Sequence, residues 1–282
     1  MDRDIYSKKG FISYQTKKID KLISDCKIPL AKKIALELLN DYAYDFKLLK
    51  LLARIYIIDH EYENAKQILE GIEEKYAYQR LMRIYLKLNE EQKLFEIYKK
   101  YYLNVPMLDE ELGYNEQDRR IKLYLEKKFN PTFEIDIDKL SYYEKQIWDY
   151  DEARAIEHVK SHHCKEYTDL NIFSPNIDIV DLFYKVREYI SNNNNGTLDK
   201  GIGEIYFFYY PQCGIITSIE EPIYTNTFKV CTLIGTNKII SMHPCVMGKY
   251  TNLCYIENSI KKNKTKVKTG IERFNSKYGN LK

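Results

Sequence analysis

Pro29–Leu39 reads PLAKKIALELL and Glu63–Glu73 reads ENAKQILEGIE. Ala31 and Ala65 lie 34 residues apart, and each is followed by Lys and an Ile/Leu ladder at helical spacing. Between the two runs, Leu49, Leu52, Ala53 and Tyr56 keep the same spacing within Phe46–Ile57. A shorter third unit follows, with Leu81, Ile84 and Tyr85 on one helix and Leu94, Phe95, Ile97 and Tyr98 on the next. A single helical hairpin cannot bury its apolar face alone, so neighbouring hairpins must stack. Met107–Phe129 reads as one more helix, able to cap the stack. The Leu, Ile and Tyr stripes read as core, not as ligand sites.

From about Ile19 to Tyr102 the pattern resembles the tetratricopeptide repeat. Small Ala31, Ala53 and Ala65 fall where helices must approach closely, and Tyr56 and Tyr85 take the aromatic position. The repeat's Trp is missing and the third unit is short. The resemblance implies that the concave face binds a peptide or protein.

Asn130–Pro131 breaks the helical pattern. It divides the chain into residues 1–129 and 130–282. Beyond it, Ser141-x-x-Glu144 forms a capping box, Asp151 opens a helix running to about His163, and Ser174-Pro175-Asn176 precedes a second helix, Ile177–Ile190. The polar run Ser191–Gly201 reads as a loop. The period then changes: Ile205–Tyr210, Gly214–Ile219, Thr227–Ile234 and Lys238–His243 are β-rich, with Gly235-Thr236-Asn237 as a hairpin turn. The expected fold class is therefore α+β and multidomain. A tetratricopeptide-like α-helical solenoid is followed by an α+β domain of two helices and a mostly antiparallel sheet.

The bulk properties agree with two domains: 282 residues, 44% of them hydrophobic. Net charge is +3, unevenly placed. Asn130–Tyr224 holds 8 Lys+Arg against 17 Asp+Glu, a net of −9, whereas Lys249–Lys282 holds 9 against 2, a net of +7. The basic tail suits a polyanion, or is simply a solvated terminus. MDRDIYSKKGFISYQ carries no apolar core of the kind an export signal needs, and no apolar run approaches a membrane-spanning length. The expected location is cytoplasmic, with no membrane partner. Cysteines 26, 164, 213, 231, 245 and 254 form no CxxC pair and are expected as reduced thiols.

His158-Val159-Lys160-Ser161-His162-His163 ends one helix, with His158 and His162 sharing a face by their i,i+4 spacing. His243 ends the last strand, near Thr227, Thr232, Thr236 and Ser241. Three readings are open. Histidines at a helix C-terminus are favoured by the dipole and need do nothing else. His158, His162, Cys164, His243 and Cys245 are possible donors to Zn²⁺, although no familiar zinc spacing is present. Third, imidazoles, a Lys and hydroxyls are a sufficient set for acid–base cleavage of RNA, whose own 2′-OH is the nucleophile.

Phe228–Pro244 (FKVCTLIGTNKIISMHP) resembles the closing hairpin of barnase/EndoU/colicin/RelE-like ribonuclease domains, in their phage and polymorphic-toxin branch. HVKSHH is similar to the H-I-x-x-R-H element upstream in that branch, and Phe173-Ser174 fits the same layout. The resemblance places His158 and His163 at the two motif histidines, Ser241 at a usual Thr, His243 at a usual Tyr and Thr232 at the close of the penultimate strand. It departs from the pattern where His162 replaces Arg. It implies a metal-independent endoribonuclease of toxin type, without cofactor, that forms 2′,3′-cyclic phosphates. His158 and His163 would be acid and base, and Ser241, Thr232 and His243 would hold the phosphate. Lys160, His162 and the tail residues Lys261, Lys262, Lys264, Lys266 and Lys268 would attract RNA. The helical repeats would bind a protein such as an inhibitor or antitoxin. The other function class is a non-catalytic adaptor whose second domain is a binding module.

Overall fold

The computed structural model describes residues 8–25, 27–103, 116–164, 171–199, 201–217, 223–245 and 253–255. The chain divides into two compact units, residues 1–104 and 105–282.

In the first unit, α1 (Lys8–Ser24), α2 (Ile28–Asp41), α3 (Phe46–Ile58), α4 (Tyr62–Glu70), α5 (Lys75–Leu88) and α6 (Glu91–Ile97) each pack on the next in order. Local chemistry sets the ends. Pro29 sits in the first turn of α2, where a missing N–H costs nothing. Asp45 caps α3 by accepting from the backbone of Lys47 and Leu48. Asn89 closes α5 in the left-handed region, at φ 57°. Ala31, Ala53 and Ala65 are fully buried, as close helix contact requires. One brace occurs twice. Lys32 of α2 pairs with Glu61 at the start of α4, and Glu61 N–H donates to Tyr56 O. Lys66 of α4 pairs with Glu90 at the start of α6, and Glu90 N–H donates to Tyr85 O. Such partly buried ion pairs at the surface are worth on the order of 1 kcal/mol each. They set the geometry of each joint, while the apolar interior supplies most of the stability.

The second unit starts with α7 (Glu116–Phe129) and α8 (Tyr142–Trp148). Of the helix expected over Met107–Phe129, residues 116–129 are described and belong to the second unit, so the break expected at 129/130 falls inside that unit. The reason is a specific contact: α7 packs on α8 through Arg119, whose Nε lies 2.6 Å and Nη2 2.8 Å from the two oxygens of Glu144. Glu144 also closes the capping box, accepting from Ser141 N at 2.9 Å and Oγ at 2.7 Å. Burial pushes this carboxyl up, but the Ser141 bonds and the Arg119 guanidinium outweigh it and hold the group below the usual range.

Gln146 joins α8 to α9 (Glu152–His163), exchanging two 3.0 Å hydrogen bonds with the backbone of Asp151. Asp151 in turn caps α9 through Arg154 N–H. Then come β1 (Ile172–Phe173), α10 (Ile179–Asn193), β2 (Thr197–Leu198), β3 (Gly203–Ile216), β4 (Ile223–Leu233), β5 (Ile239–Pro244) and β6 (Leu253–Tyr255). The sheet runs β1-β3-β4-β5, with β2 and β6 also paired to β3, and only the β6 pairing is parallel among the described strands. The fold is α+β, helices first and then a mostly antiparallel sheet.

Two strands were expected where β3 runs as one. Pro211-Gln212 looks like a turn but is absorbed as a bulge. Gln212 stands at φ 53°, held by its N–H on Asn226 Oδ1 (2.6 Å) and by Ser174 Oγ on its carbonyl (2.7 Å). Gly214 follows because a Cβ there would lie 2.4 Å from both Ile172 O and Pro244 Cγ. One sheet face carries Phe208, Phe228, Val230 and Met242 against Phe183 and Val186 of α10 and Val159 of α9. α9 packs along β5. Among the described residues no helix is long and apolar enough to cross a membrane.

Candidate active site

The phase of α9 decides where its histidines go. Ala155 and Val159 are fully buried in the core, so His158, His162 and His163 emerge beside that face at the helix end that meets β5. His158 stacks on Tyr142, centroids 3.7 Å apart and planes at 10°, and lies 4.5 Å from His162 and 6.2 Å from His163. His163 lies 5.3 Å from His243 of β5. Four imidazoles thus converge at the junction of α9 and β5.

Their protonation follows from their partners. His163 Nδ1 lies 2.9 Å from Asn171 O. A carbonyl only accepts, so Nδ1 bears the proton and Nε2 of the neutral ring is a free acceptor. Asn171 is itself fixed, its Nδ2 donating to Pro244 O (3.0 Å) and its Oδ1 accepting from Thr217 N (3.1 Å). Burial pushes His163 down, against the Asn171 bond that raises it and with His162 lowering it further. Burial, then His162 and His163, push His158 down to about 4. Burial, then His163, Lys229 and His158, push His243 down to about 4. These rings are therefore neutral near pH 7 and able to take a proton.

Register sets the rest. Lys229 of β4 is the cross-strand partner of His243, and Cys231 is the partner of Ser241. These four side chains share one face, because side chains alternate along a strand. Tyr142 supports the same corner by donating to Ile240 O at 2.5 Å, at the β5 bulge. A pocket of about 160 Å³ opens on this face, lined by Arg120, Tyr143, Lys229, Cys231, Ser241 and His243 among others.

Of the residues nominated from sequence, His158, His162, His163 and His243 come together, and Ser241 lines the adjoining pocket. Thr232 does not join them. It follows Cys231, so it points to the other face of β4, fully buried, with no hydrogen-bond partner for Oγ1 among the described residues. Lys160 is exposed, two positions from both His158 and His162 and hence on another side of the helix. Lys261, Lys262, Lys264, Lys266 and Lys268 lie outside the described residues. Among the described residues no group of three or more His, Cys, Asp or Glu is arranged to hold a metal ion. Burial pushes the thiols of Cys164 and Cys245 up to about 11.

Sequence reading missed Lys229, Arg120 and Tyr143. Lys229 had a signal, being two residues before Cys231 on a strand opposite His243. Arg120 had none, since α7 reads the same whichever core it joins. Comparison with protein-family models, curated proteins and solved structures finds no match.

Proposed function

We propose that the second unit is a metal-independent endoribonuclease of toxin type. The observation that carries the reading is the approach of His163 to His243, 5.3 Å between ring centroids, with Lys229 across the strand from His243. The two histidines are 80 positions apart in sequence. In the proposed reaction one neutral imidazole takes the 2′-OH proton as the 2′-oxygen bonds to phosphorus. Lys229 and Ser241 stabilise the charge that grows on the phosphoryl oxygens. The P–O5′ bond breaks, and a second imidazole, protonated beforehand, gives its proton to the leaving oxygen. The products are a 2′,3′-cyclic phosphate and a 5′-OH. His163 suits the base, because Asn171 fixes its tautomer; His158 and His243 are the candidates for the acid.

The first unit takes the role of a tetratricopeptide-like array that binds a protein or peptide and controls or targets the nuclease in the cytoplasm. The repeated Lys–Glu brace between successive hairpins supports a repeat origin. The test is incubation of the purified chain with total RNA in EDTA, followed by end analysis. Cleavage leaving cyclic phosphate or 3′-phosphate ends is expected. Absence of cleavage, or activity only with added Mg²⁺ or Zn²⁺, would favour the adaptor reading or another chemistry.

A further inference from the structure

The pocket beside the histidines adds a second cation, Arg120, to the Lys229 and Ser241 that the proposed reaction already uses. Arg120 reaches it from α7 and Lys229 from β4, and Ser241 and His243 of β5 line it as well. Lys229 and the Ser241 hydroxyl have no hydrogen-bond or ion-pair partner among the described residues. Arg120 is only partly satisfied. One Nη2 holds Glu116, a largely exposed carboxylate one turn away, and the guanidinium lies over the Tyr143 ring at 4.6 Å. Its Nε is buried and finds no acceptor among the described residues. A buried donor left unpaired costs about 1–3 kcal/mol, more when charged, so the site gains when an acceptor arrives.

The opposing charges are few. Asp199 lines the same pocket, beside Gly203. Glu204 lies on the other sheet face, opposite Thr232, and accepts from Gly235 N. Burial holds Cys231 as a thiol. With Glu116, the partner of Arg120, outside it, the lining thus carries two permanent cations and one carboxylate around a volume of about 160 Å³. By liquid volume that is on the order of five waters, the scale of one phosphate with its immediate hydration.

We propose that this pocket is a phosphate subsite in which Arg120 and Lys229 hold a backbone phosphate of a polynucleotide next to the histidine cluster. The choice of a nucleic acid as source of the phosphate rests on the ribonuclease reading; the preference for an anion does not. Arg120 would make charge-assisted bonds through its guanidinium, and Lys229 would act as a point charge.

The test uses the full chain and a labelled 2′-deoxy hexanucleotide, which binds without turnover because it lacks the nucleophile, with inorganic phosphate as competitor. Arg120→Gln and Lys229→Gln should each weaken binding about tenfold and lower the salt-dependence slope by about one. Arg120→Lys should recover part of the loss. Lys185→Gln, on α10 and paired with Asp181, should bind as wild type. Thermal unfolding checks each variant, and Lys229→Gln carries the test if Arg120→Gln does not fold. Wild-type affinity in both Gln variants, or a wild type that binds neither oligonucleotide nor phosphate, overturns the subsite. Arg120-dependent binding in a protein that cleaves no RNA leaves the subsite standing and removes the nuclease reading. RNA cleavage with binding indifferent to Arg120 and Lys229 does the reverse.

Discussion

The carbonyl oxygen of Asn171 lies 2.9 Å from Nδ1 of His163 and so fixes which nitrogen of that ring is free to accept a proton. The Asn171 side chain ties the same residue to Pro244 at the end of β5 and to Thr217 beyond β3. The tautomer of the proposed base is thus coupled to the geometry of the strand that carries His243.

This coupling predicts two graded effects. His163→Ala should lower kcat by ~10² or more, the usual cost of losing a general base. Asn171→Ala keeps the carbonyl but frees it, and should lower kcat about tenfold with little change in KM. His60→Asn, in the first unit, should cleave at the wild-type rate. Single-turnover rates on a short RNA check all three; equal rates for His163→Ala and wild type would remove His163 from the mechanism.

Thr232 and Ser241 separate the register from the motif. Ser241→Ala should slow cleavage about tenfold, because its hydroxyl lines the pocket. Thr232→Val should leave the rate unchanged and stabilise the fold by about 0–1 kcal/mol, since it removes a buried hydroxyl with no partner among the described residues. Denaturant melts and rates on the two variants decide the matter. A slow Thr232→Val enzyme with intact stability would mean that Thr232 reaches the substrate after all.

What the sequence reveals here is local. The Ser141–Glu144 box, the Asp151 cap and the His158/His162 pairing are set by neighbours within one turn, and all were readable. The placement of Thr232 was not. It depends on the pairing of Cys231 with Ser241, and a one-residue slip of that register would exchange the faces. Nor was the single strand β3, because Pro211-Gln212 has turn chemistry and becomes a bulge only through Asn226 and Ser174. Arg120 was invisible for a third reason: an amphipathic helix shows that it packs, not what it packs on.

Depressed histidine pKa values have two consequences with definite signs. An imidazole can serve as acid only when protonated, and His158 and His243, held at about 4, gain protons as pH falls. The kcat/KM profile should therefore peak below the ordinary histidine value of about 6.5 and fall on the alkaline side. Stability runs the other way. The unfolded chain binds protons to these rings near pH 6.5, the folded chain only near 4, so stability is complete above about 6.5 and is lost as pH drops towards 4. Discounted for partial solvent access, each ring contributes on the order of 1–3 kcal/mol. Thermal melts of wild type and His243→Phe across this range should show the variant's pH dependence flattened. A kcat/KM optimum at alkaline pH would contradict the assignment of both rings.

Truncation tests where the second unit begins. Sequence alone places the break at Asn130–Pro131, so residues 130–282 would carry the nuclease. The structure puts α7 in the same unit. Its Arg119 covers Glu144, whose side chain is only 2% exposed, and its Lys127 donates to the Trp148 carbonyl at the end of α8. Ile121, Leu123 and Leu125 of α7 are buried, and each such side chain is worth about 1.5–3 kcal/mol. Total domain stabilities are only about 5–15 kcal/mol, so a cut at 130 removes a large share. It also removes Arg120 from the pocket. Residues 105–282 should therefore unfold cooperatively and, with His163 intact, cleave RNA as the full chain does. Residues 130–282 should lack a cooperative transition and be inactive. Expressing both pieces in the His163→Ala background avoids toxicity during the folding comparison, and restoring His163 in purified material by cell-free synthesis gives the rates. If the shorter piece melts at the same temperature as the longer one and cleaves as fast, α7 contributes neither stability nor chemistry. The break at Asn130 would then be the functional boundary.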